Sequence, residues 1–219
     1  MVRRPGLRIP VPTASRLVLV FALVAGGGVG AVPDETPAGP APGAPERNPR
    51  WAARLQRPGL TNLHQVSPTL YRGAQPTREG LDELRRLGVK TVVSLRAFHG
   101  EREAVAAAGL GYERISFKVW HPEDEDLRRF LAIVTDPSRQ PVFVHCLRGA
   151  DRTGTAVAAY RICVEGWGRE DAIEEMVDGG FEFNPRFGNL VDYLRSLDVG
   201  TLTVDPKPPP GLGTPAAPE

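Results

Sequence analysis

One short segment constrains the fold of this chain more than any other: residues 145–154, which read His-Cys-Leu-Arg-Gly-Ala-Asp-Arg-Thr-Gly. The apolar residues 141–144 before it are typical of a buried strand, and residues 153–164 after it have the pattern of a helix. The loop between these elements therefore points its backbone N–H groups, and the positive end of the helix, at one place. That place is suited to a phosphate group, and it lowers the pKa of a thiol held in its centre.

The residues inside this loop predict phosphoryl chemistry. Cys146 is the candidate nucleophile, and Arg152 is the candidate clamp because its planar guanidinium makes two parallel bonds to phosphate oxygens. Backbone amides of residues 147–152 are expected to hold the equatorial oxygens. His145 is expected to fix the loop, and Thr153 to offer its hydroxyl to the sulfur. The candidate substrate-binding residues are Leu147, Arg148, Gly149, Ala150, Asp151, Arg152 and Thr153.

The pattern His145-Cys146-x5-Arg152-Thr153-Gly154 resembles the phosphate-binding loop of the cysteine-dependent protein tyrosine and dual-specificity phosphatases. Further matches resemble a compact bacterial dual-specificity-like branch: residues 70–76 (Leu-Tyr-Arg-Gly-Ala-Gln-Pro), 92–96 (Val-Val-Ser-Leu-Arg), 166–167 (Gly-Trp) and 174–176 (Glu-Glu-Met). The resemblance implies a phosphomonoester hydrolase with a phosphocysteine intermediate on Cys146. It also implies that no cofactor or metal is needed, and that the substrate is a phosphorylated protein or a small phosphorylated metabolite.

The proton donor for the leaving oxygen is less well defined by the sequence. In the resembled family, an aspartate on a loop upstream of the cysteine supplies this proton, and residues 120–126 (Trp-His-Pro-Glu-Asp-Glu-Asp) occupy the corresponding place. Asp124 is the predicted donor. The alternatives are Asp126 and Glu123, which are also typical of helix starts, Asp151 inside the loop, and His121.

The order of the predicted elements indicates an α/β fold with a mostly parallel central sheet flanked by helices. Strands are predicted at residues 69–72, 90–95, 112–117 and 142–144. Helices are predicted at residues 78–87, 101–108, 124–135, 153–165, 170–177 and 189–197. Because ligands bind at the carboxyl ends of parallel strands, Arg96 and Lys118 are expected on the same rim as Cys146 if their strands run parallel.

Composition divides the chain into four parts. Residues 1–31 hold four arginines, no acid and a short apolar run ending in small residues, which predicts a signal peptide cleaved after Ala31 and export to the periplasm or medium. An N-terminal membrane anchor is the alternative. Residues 32–59 are predicted to be a proline-rich linker, residues 60–200 the catalytic domain, and residues 201–219 a proline-rich disordered tail.

Charge and cysteine content exclude some classes of partner and bond. Loss of four arginines and no acid moves the formal net charge from +1 to −3 (+1 − 4), which does not suggest a nucleic-acid partner. The two cysteines, Cys146 and Cys163, are separated by about 15 Å of predicted helix, too far for a disulfide. Four histidines show no metal-ligand spacing. The sequence does not indicate an oligomeric state.

Other functions compete with a protein phosphatase. Arg148, two residues after the cysteine, resembles the basic residue of atypical members that act on inositol phosphates or pyrophosphates. Rhodanese-like sulfurtransferases have a shorter cysteine loop, and arsenate reductases of the low-molecular-weight phosphatase type need resolving cysteines. The alternative of a different class is a catalytically silent phosphate-binding module.

Overall fold

The computed structural model describes residues 47–98 and 100–202. The predicted signal peptide lies outside these residues, as do residues 32–46 of the predicted linker and residues 203–219 of the predicted tail. One sheet has the strand order β1-β2-β3-β6-β4-β5. Its strands are β1 Ala53–Arg54, β2 His64–Ser67, β3 Leu70–Gly73, β4 Thr91–Ser94, β5 Gly111–Arg114 and β6 Val142–His145.

Helices alternate with the later strands. They are α1 Arg78–Arg86, α2 Arg102–Ala107, α3 Asp124–Val134, α4 Asp151–Cys163, α5 Arg169–Asp178, α6 Gly188–Ser196 and α7 Val199–Leu202, with a 3-10 turn at Pro185–Phe187. Helix α4 begins two residues before the predicted start. Strand β5 ends before the predicted residue 117. No helix among the described residues is long and apolar enough to span a membrane.

The predicted α/β fold is confirmed. Strands β3, β6, β4 and β5 run parallel, whereas β1 and β2 pair antiparallel at one edge. Gly73 and Ser94 both pair with His145, so the carboxyl ends of the three central strands are level with one another. The loop after β6 and the segment after β4, which carries Arg96, therefore leave the sheet at the same edge.

Two apolar layers cover the two faces of the sheet. Because successive strand residues point to opposite faces, Val92 and Phe143 pack in the layer that includes the α1 residues Leu81 and Leu84, whereas their neighbours pack on the other side. That second layer combines strand residues with residues from α3 to α7. All residues of β3, β4 and β6 are buried, as expected for parallel strands covered on both faces.

The fold of the described residues begins before residue 60, where the sequence places the start of the catalytic domain. Strand β1 belongs to the sheet, and the backbone N–H of Ala52 donates to Glu175 Oε1 at 2.7 Å. Glu175 is buried and forms a two-pronged ion pair with Arg161, at 2.7 Å for both contacts. This non-local pair fixes the segment before β1, so residues 52–59 are part of the fold. At the other end, Leu202 is fully buried, so the fold also continues past residue 200.

Candidate active site

The loop between β6 and α4 is held from beneath by β3. Gly149 has φ of 72°, and a side chain on it would place a Cβ 2.3 Å from the backbone of Gly73, so only glycine fits this close approach. The fully buried Arg72 donates to the Gly149 carbonyl oxygen at 2.9 Å and to that of Ala150 at 3.5 Å. Both hydrogen bonds are accepted by backbone carbonyl oxygens on the buried side of the loop. Because they use no loop N–H group, those groups remain available to the sulfur and to an anion.

Cys146 lies in the centre of this loop and is 2% exposed. Burial by itself raises the pKa of the Cys146 thiol, but hydrogen bonds from the Thr153 hydroxyl and backbone N–H, the charge of Arg152 and the Gly149 N–H together lower it below its ordinary value. The Thr153 hydroxyl is fully buried and lies beside the sulfur that it stabilises. The loop therefore favours the thiolate, the nucleophilic form of cysteine.

Arg152 borders a cavity of about 230 Å³ at the same rim. Its Nη1 donates to the Leu95 carbonyl oxygen at 3.2 Å, and this hydrogen bond fixes the guanidinium beside the loop. Phe98 and Trp120, at the cavity, are 86% and 69% exposed, which is unusual for aromatic side chains of this size. The residues that line the cavity are Arg96, Ala97, Phe98, Phe117, Val119, Trp120 and Arg152.

The predicted position of Arg96 on the rim agrees with this cavity, because Arg96 lines it together with Arg152. Lys118 follows β5 and forms an ion pair with Glu123 at 3.0 Å. Arg148 is an exposed residue of the loop, and its nearest charged partner is Asp151, at 3.5 Å.

The candidate proton donors lie outside the residues that line this cavity. Asp124, at the start of α3, accepts a hydrogen bond from the Tyr193 hydroxyl at 2.7 Å, and this contact adds to burial in raising the pKa of Tyr193. Asp151 Oδ1 accepts from the Asn184 backbone N–H at 2.8 Å. Burial, followed by the charge of Glu123, raises the pKa of Asp126, a shift that is typical of groups that deliver protons. The identity of the donor stays a prediction.

Three residues that support the loop were missed in the sequence. Arg72 lies in the segment 70–76 that carried part of the resemblance, and a cation within a short buried strand could have marked it. Burial lowers the pKa of Arg72 to about 10, and its guanidinium stacks over the Phe181 ring at 3.8 Å. Gln75 lies between β3 and α1, Glu101 directly precedes α2, and no local pattern marks either residue as a support of the loop.

Comparisons with known proteins agree with the predicted resemblance to dual-specificity phosphatases. The family model described as "DSP-PTPase phosphatase fused to NAD+ Kinase" matches residues 53–178. The dual specificity protein phosphatase TpbA of Pseudomonas aeruginosa is 36% identical over 166 residues, which is 73% of this chain and 72% of TpbA. NAD kinase 2 of Arabidopsis thaliana is 33% identical over 100 residues, but these make up only 10% of that protein.

Solved structures agree with the fold. A crystal structure of a cysteine-to-serine variant of P. aeruginosa TpbA in complex with pTyr has a TM-score of 0.64 at 35% identity, covering 71% of this chain and 95% of that one. The catalytic domain of the S. cerevisiae PP-IP phosphatase SIW14 has a TM-score of 0.60 at 21% identity, covering 67% and 91%, and shows the fold alone. By the family model and the match to TpbA, the chain belongs to the dual-specificity phosphatases of the cysteine-dependent phosphatase superfamily.

Proposed function

We propose that this cysteine-dependent phosphatase hydrolyses aryl phosphate monoesters of the phosphotyrosine type. The observation that carries the proposal is the cavity beside Arg152, where Phe98, Phe117 and Trp120 supply aromatic surface and Arg96 supplies a second cation. An aromatic ring is expected to pack against these side chains while its phosphate enters the loop. The TpbA variant in complex with pTyr supports this substrate class.

The proposed reaction has two steps. In the first, the Cys146 thiolate attacks phosphorus, a P–S bond forms, the ester P–O bond breaks, and the leaving oxygen takes a proton from the donor acid. Loop amides and Arg152 stabilise the charge on the equatorial oxygens. In the second, water attacks phosphorus and gives its proton to the donor carboxylate, the P–S bond breaks, and inorganic phosphate leaves. The Thr153 hydroxyl stabilises the departing thiolate.

An inositol polyphosphate or pyrophosphate is the second candidate substrate. Arg148 favours it, because its side chain is 55% exposed on the loop and only a 3.5 Å contact with Asp151 engages its charge. Together with Arg96 and Arg152, it gives the rim three cations, which suits a ligand with several phosphates.

A substrate panel without added metal distinguishes these candidates. We expect kcat/KM for a phosphotyrosine peptide to exceed that for phosphoserine peptides and inositol phosphates by more than about tenfold. Trp120→Ala is expected to lower kcat/KM for phosphotyrosine by about tenfold, because it removes ring contact, and to leave inhibition by inorganic phosphate unchanged. Preference for an inositol pyrophosphate, lost in Arg148→Ala, would favour the second candidate instead. Binding of these ligands without any turnover would favour the silent module.

Asp124→Asn is expected to slow alkyl phosphates by about 100-fold, because their leaving oxygen needs a proton, and to change an activated nitrophenyl ester far less. The basic limb of the pH–rate profile should flatten, whereas the acidic limb, which reports the thiolate, should remain. Asp126→Asn and Asp151→Asn are the matched comparisons. If one of them shows this pattern and Asp124→Asn behaves like the wild type, the donor is that residue.

We also propose that the protein is exported. The support is in residues 1–31, with four arginines, no acid, a short apolar run and small residues up to Ala31. Mass spectrometry of the mature protein is expected to find its first residue near Val32. An intact Met1 in a cytoplasmic fraction would reverse the proposal, and an intact Met1 in a membrane fraction would indicate the anchored alternative.

A further inference from the structure

One asparagine side chain joins the phosphate loop to the segment after α5. The Nδ2 atom of Asn62 donates to the backbone oxygen of Arg148 at 3.0 Å and to that of Phe181 at 3.1 Å. Both partners are carbonyl oxygens, which only accept, so the nitrogen of the side-chain amide must be the atom that faces them. Each of its two N–H bonds therefore has an acceptor, and one of these acceptors belongs to the loop that holds Cys146.

The bond to Arg148 determines where the next N–H group of the loop points. A peptide unit is planar and trans, so its C=O and N–H groups point in opposite directions. The oxygen of Arg148 points to Asn62, and the N–H of Gly149, in the same peptide unit, is one of the groups that donate to the Cys146 sulfur. Asn62 therefore holds this peptide from the side opposite to the sulfur.

The neighbouring loop oxygens are held in the same way. The Gln75 backbone N–H donates to the Leu147 oxygen at 3.2 Å, and Arg72 donates to the two oxygens that follow Arg148. The oxygens of four successive residues, 147–150, are thus bound from outside the loop. This arrangement keeps the N–H groups of the loop pointed at the phosphate site, and Asn62 supplies its second bond.

The backbone at position 62 favours asparagine. Its φ is 54°, in the left-handed region that asparagine tolerates better than most residues. Glycine adopts this conformation but has no side chain, and an ionised aspartate would present only acceptors to the two oxygens. The backbone oxygen of Asn62 also accepts from His64 Nδ1 at 3.1 Å, and the His64 ring lies edge-on to Phe181, with ring centroids 4.7 Å apart. These contacts hold the asparagine itself in place.

We propose that Asn62 is a positioning residue, which fixes the Arg148–Gly149 peptide so that the Gly149 N–H points at the sulfur of Cys146. This N–H stabilises the negative charge of the thiolate before it attacks, and again when the sulfur leaves phosphorus. Asn62 acts on the reaction through this peptide. The inference rests on the proposed function, because it assumes that the Cys146 thiolate is the nucleophile.

Asn62 is neutral, so its replacement by a neutral residue leaves every charge around the loop in place. The titratable and charged side chains around the loop are Arg72 on β3, Arg96 after β4, Glu101 before α2, and His145, Arg148, Asp151 and Arg152 in and beside the loop itself. A changed thiol pKa in such a variant would therefore report the orientation of the Gly149 N–H.

Asn62→Gly removes the side chain and keeps a residue that adopts the left-handed backbone. We expect it to slow iodoacetamide alkylation of Cys146 near pH 6 by about 3- to 10-fold, as for a thiol pKa raised by about half a unit to one unit. Alkylation well above the thiol pKa should stay the same. The acidic limb of kcat/KM should move to higher pH, and kcat should fall by about tenfold, less than when a donor is removed outright.

Asn48→Gly is the matched control. Asn48 is exposed, and its side chain accepts from the Arg50 backbone N–H, away from the loop. This variant should match the wild type in the alkylation profile and in kcat. A role for Asn62 in folding alone would reduce the amount of folded Asn62→Gly protein but leave the pH dependence of its alkylation unchanged, and that result would overturn the proposal.

NMR of the wild-type protein is the second measurement, and it does not depend on the variant being folded. The side-chain amide protons of Asn62 are expected to exchange with solvent more slowly than those of Asn48, and the Gly149 backbone amide is expected to titrate with the pKa found by alkylation. Rapid exchange at Asn62, or a Gly149 amide that does not titrate, would overturn the proposal. If both measurements agree with it but no phosphate ester is hydrolysed, the proposed function is wrong and the positioning role of Asn62 is supported.

Discussion

Cys146→Ser is expected to lower kcat by about four orders of magnitude or more while phosphate and substrate still bind. The loop lowers the pKa of the thiol through Thr153, Arg152 and Gly149, and the same groups are too weak to ionise an alcohol. No base among the described residues contacts the Cys146 side chain to take a proton from a serine there, so the variant lacks an activated nucleophile. Initial rates with a nitrophenyl ester, and phosphate binding by calorimetry, measure the two effects separately.

Cys163→Ser is the matched control for this experiment. Cys163 lies at the end of α4 and packs against the core, where burial raises the pKa of its thiol, so it is not expected to be reactive. This variant should keep wild-type turnover. Substantial activity in Cys146→Ser, or loss of activity in Cys163→Ser alone, would contradict the assignment of the nucleophile.

The thiol pKa also sets the pH at which the enzyme loses activity. Because the pKa of Cys146 is lowered, the thiolate persists below the ordinary range of a cysteine and is lost only as the pH falls through the lowered value. Alkylation of Cys146 and kcat/KM are therefore expected to fall together on the acidic side.

Arg152→Lys is expected to reduce kcat/KM by about 100- to 1,000-fold, in the range found when one transition-state hydrogen-bond donor is removed. The guanidinium donates through Nη1 to the Leu95 oxygen, and its charge is one of the causes that lower the pKa of Cys146. A lysine ammonium is a compact point charge that is unable to make two parallel bonds to a phosphoryl group while keeping that anchor. The loss should appear in kcat as well as in KM, because the charge on the equatorial oxygens is greatest in the transition state.

Arg78→Lys serves as the control, since Arg78 is exposed on α1. It should leave both kinetic parameters unchanged. Near-normal kinetics in Arg152→Lys would show that another cation, with Arg96 the first to test, binds the phosphoryl group in its place.

The loop and its chemistry could be predicted from the sequence because all of their parts are local. Strand, cysteine, arginine and helix start follow one another within a few residues, so the convergence of N–H groups needs no long-range contact. The α/β class was accessible for a similar reason, since alternating strands and helices allow few arrangements.

The supports of the loop depend instead on pairing between distant segments. Arg72 reaches Gly149 only because β3 pairs in parallel with β6, in a register that sets Gly73 opposite His145. Glu101 lies beside His145 from the residue that precedes α2. Register is set by burial of whole strand faces and not by any single residue, so the sequence near Arg72 or Glu101 does not reveal these partners.

The sequence by itself predicted Cys146 as the nucleophile and Arg152 as the clamp and determined the family resemblance, because each lies in contiguous motifs. Only the tertiary structure decided that Asp124 contacts Tyr193 on α6, and that the fold begins before β1 through the bond from Ala52 to Glu175. The physical reason is the same in both cases. A side chain's hydrogen-bond partner depends on which elements pack together, and that packing minimises exposed apolar area and buried unpaired polar groups over the whole domain at once.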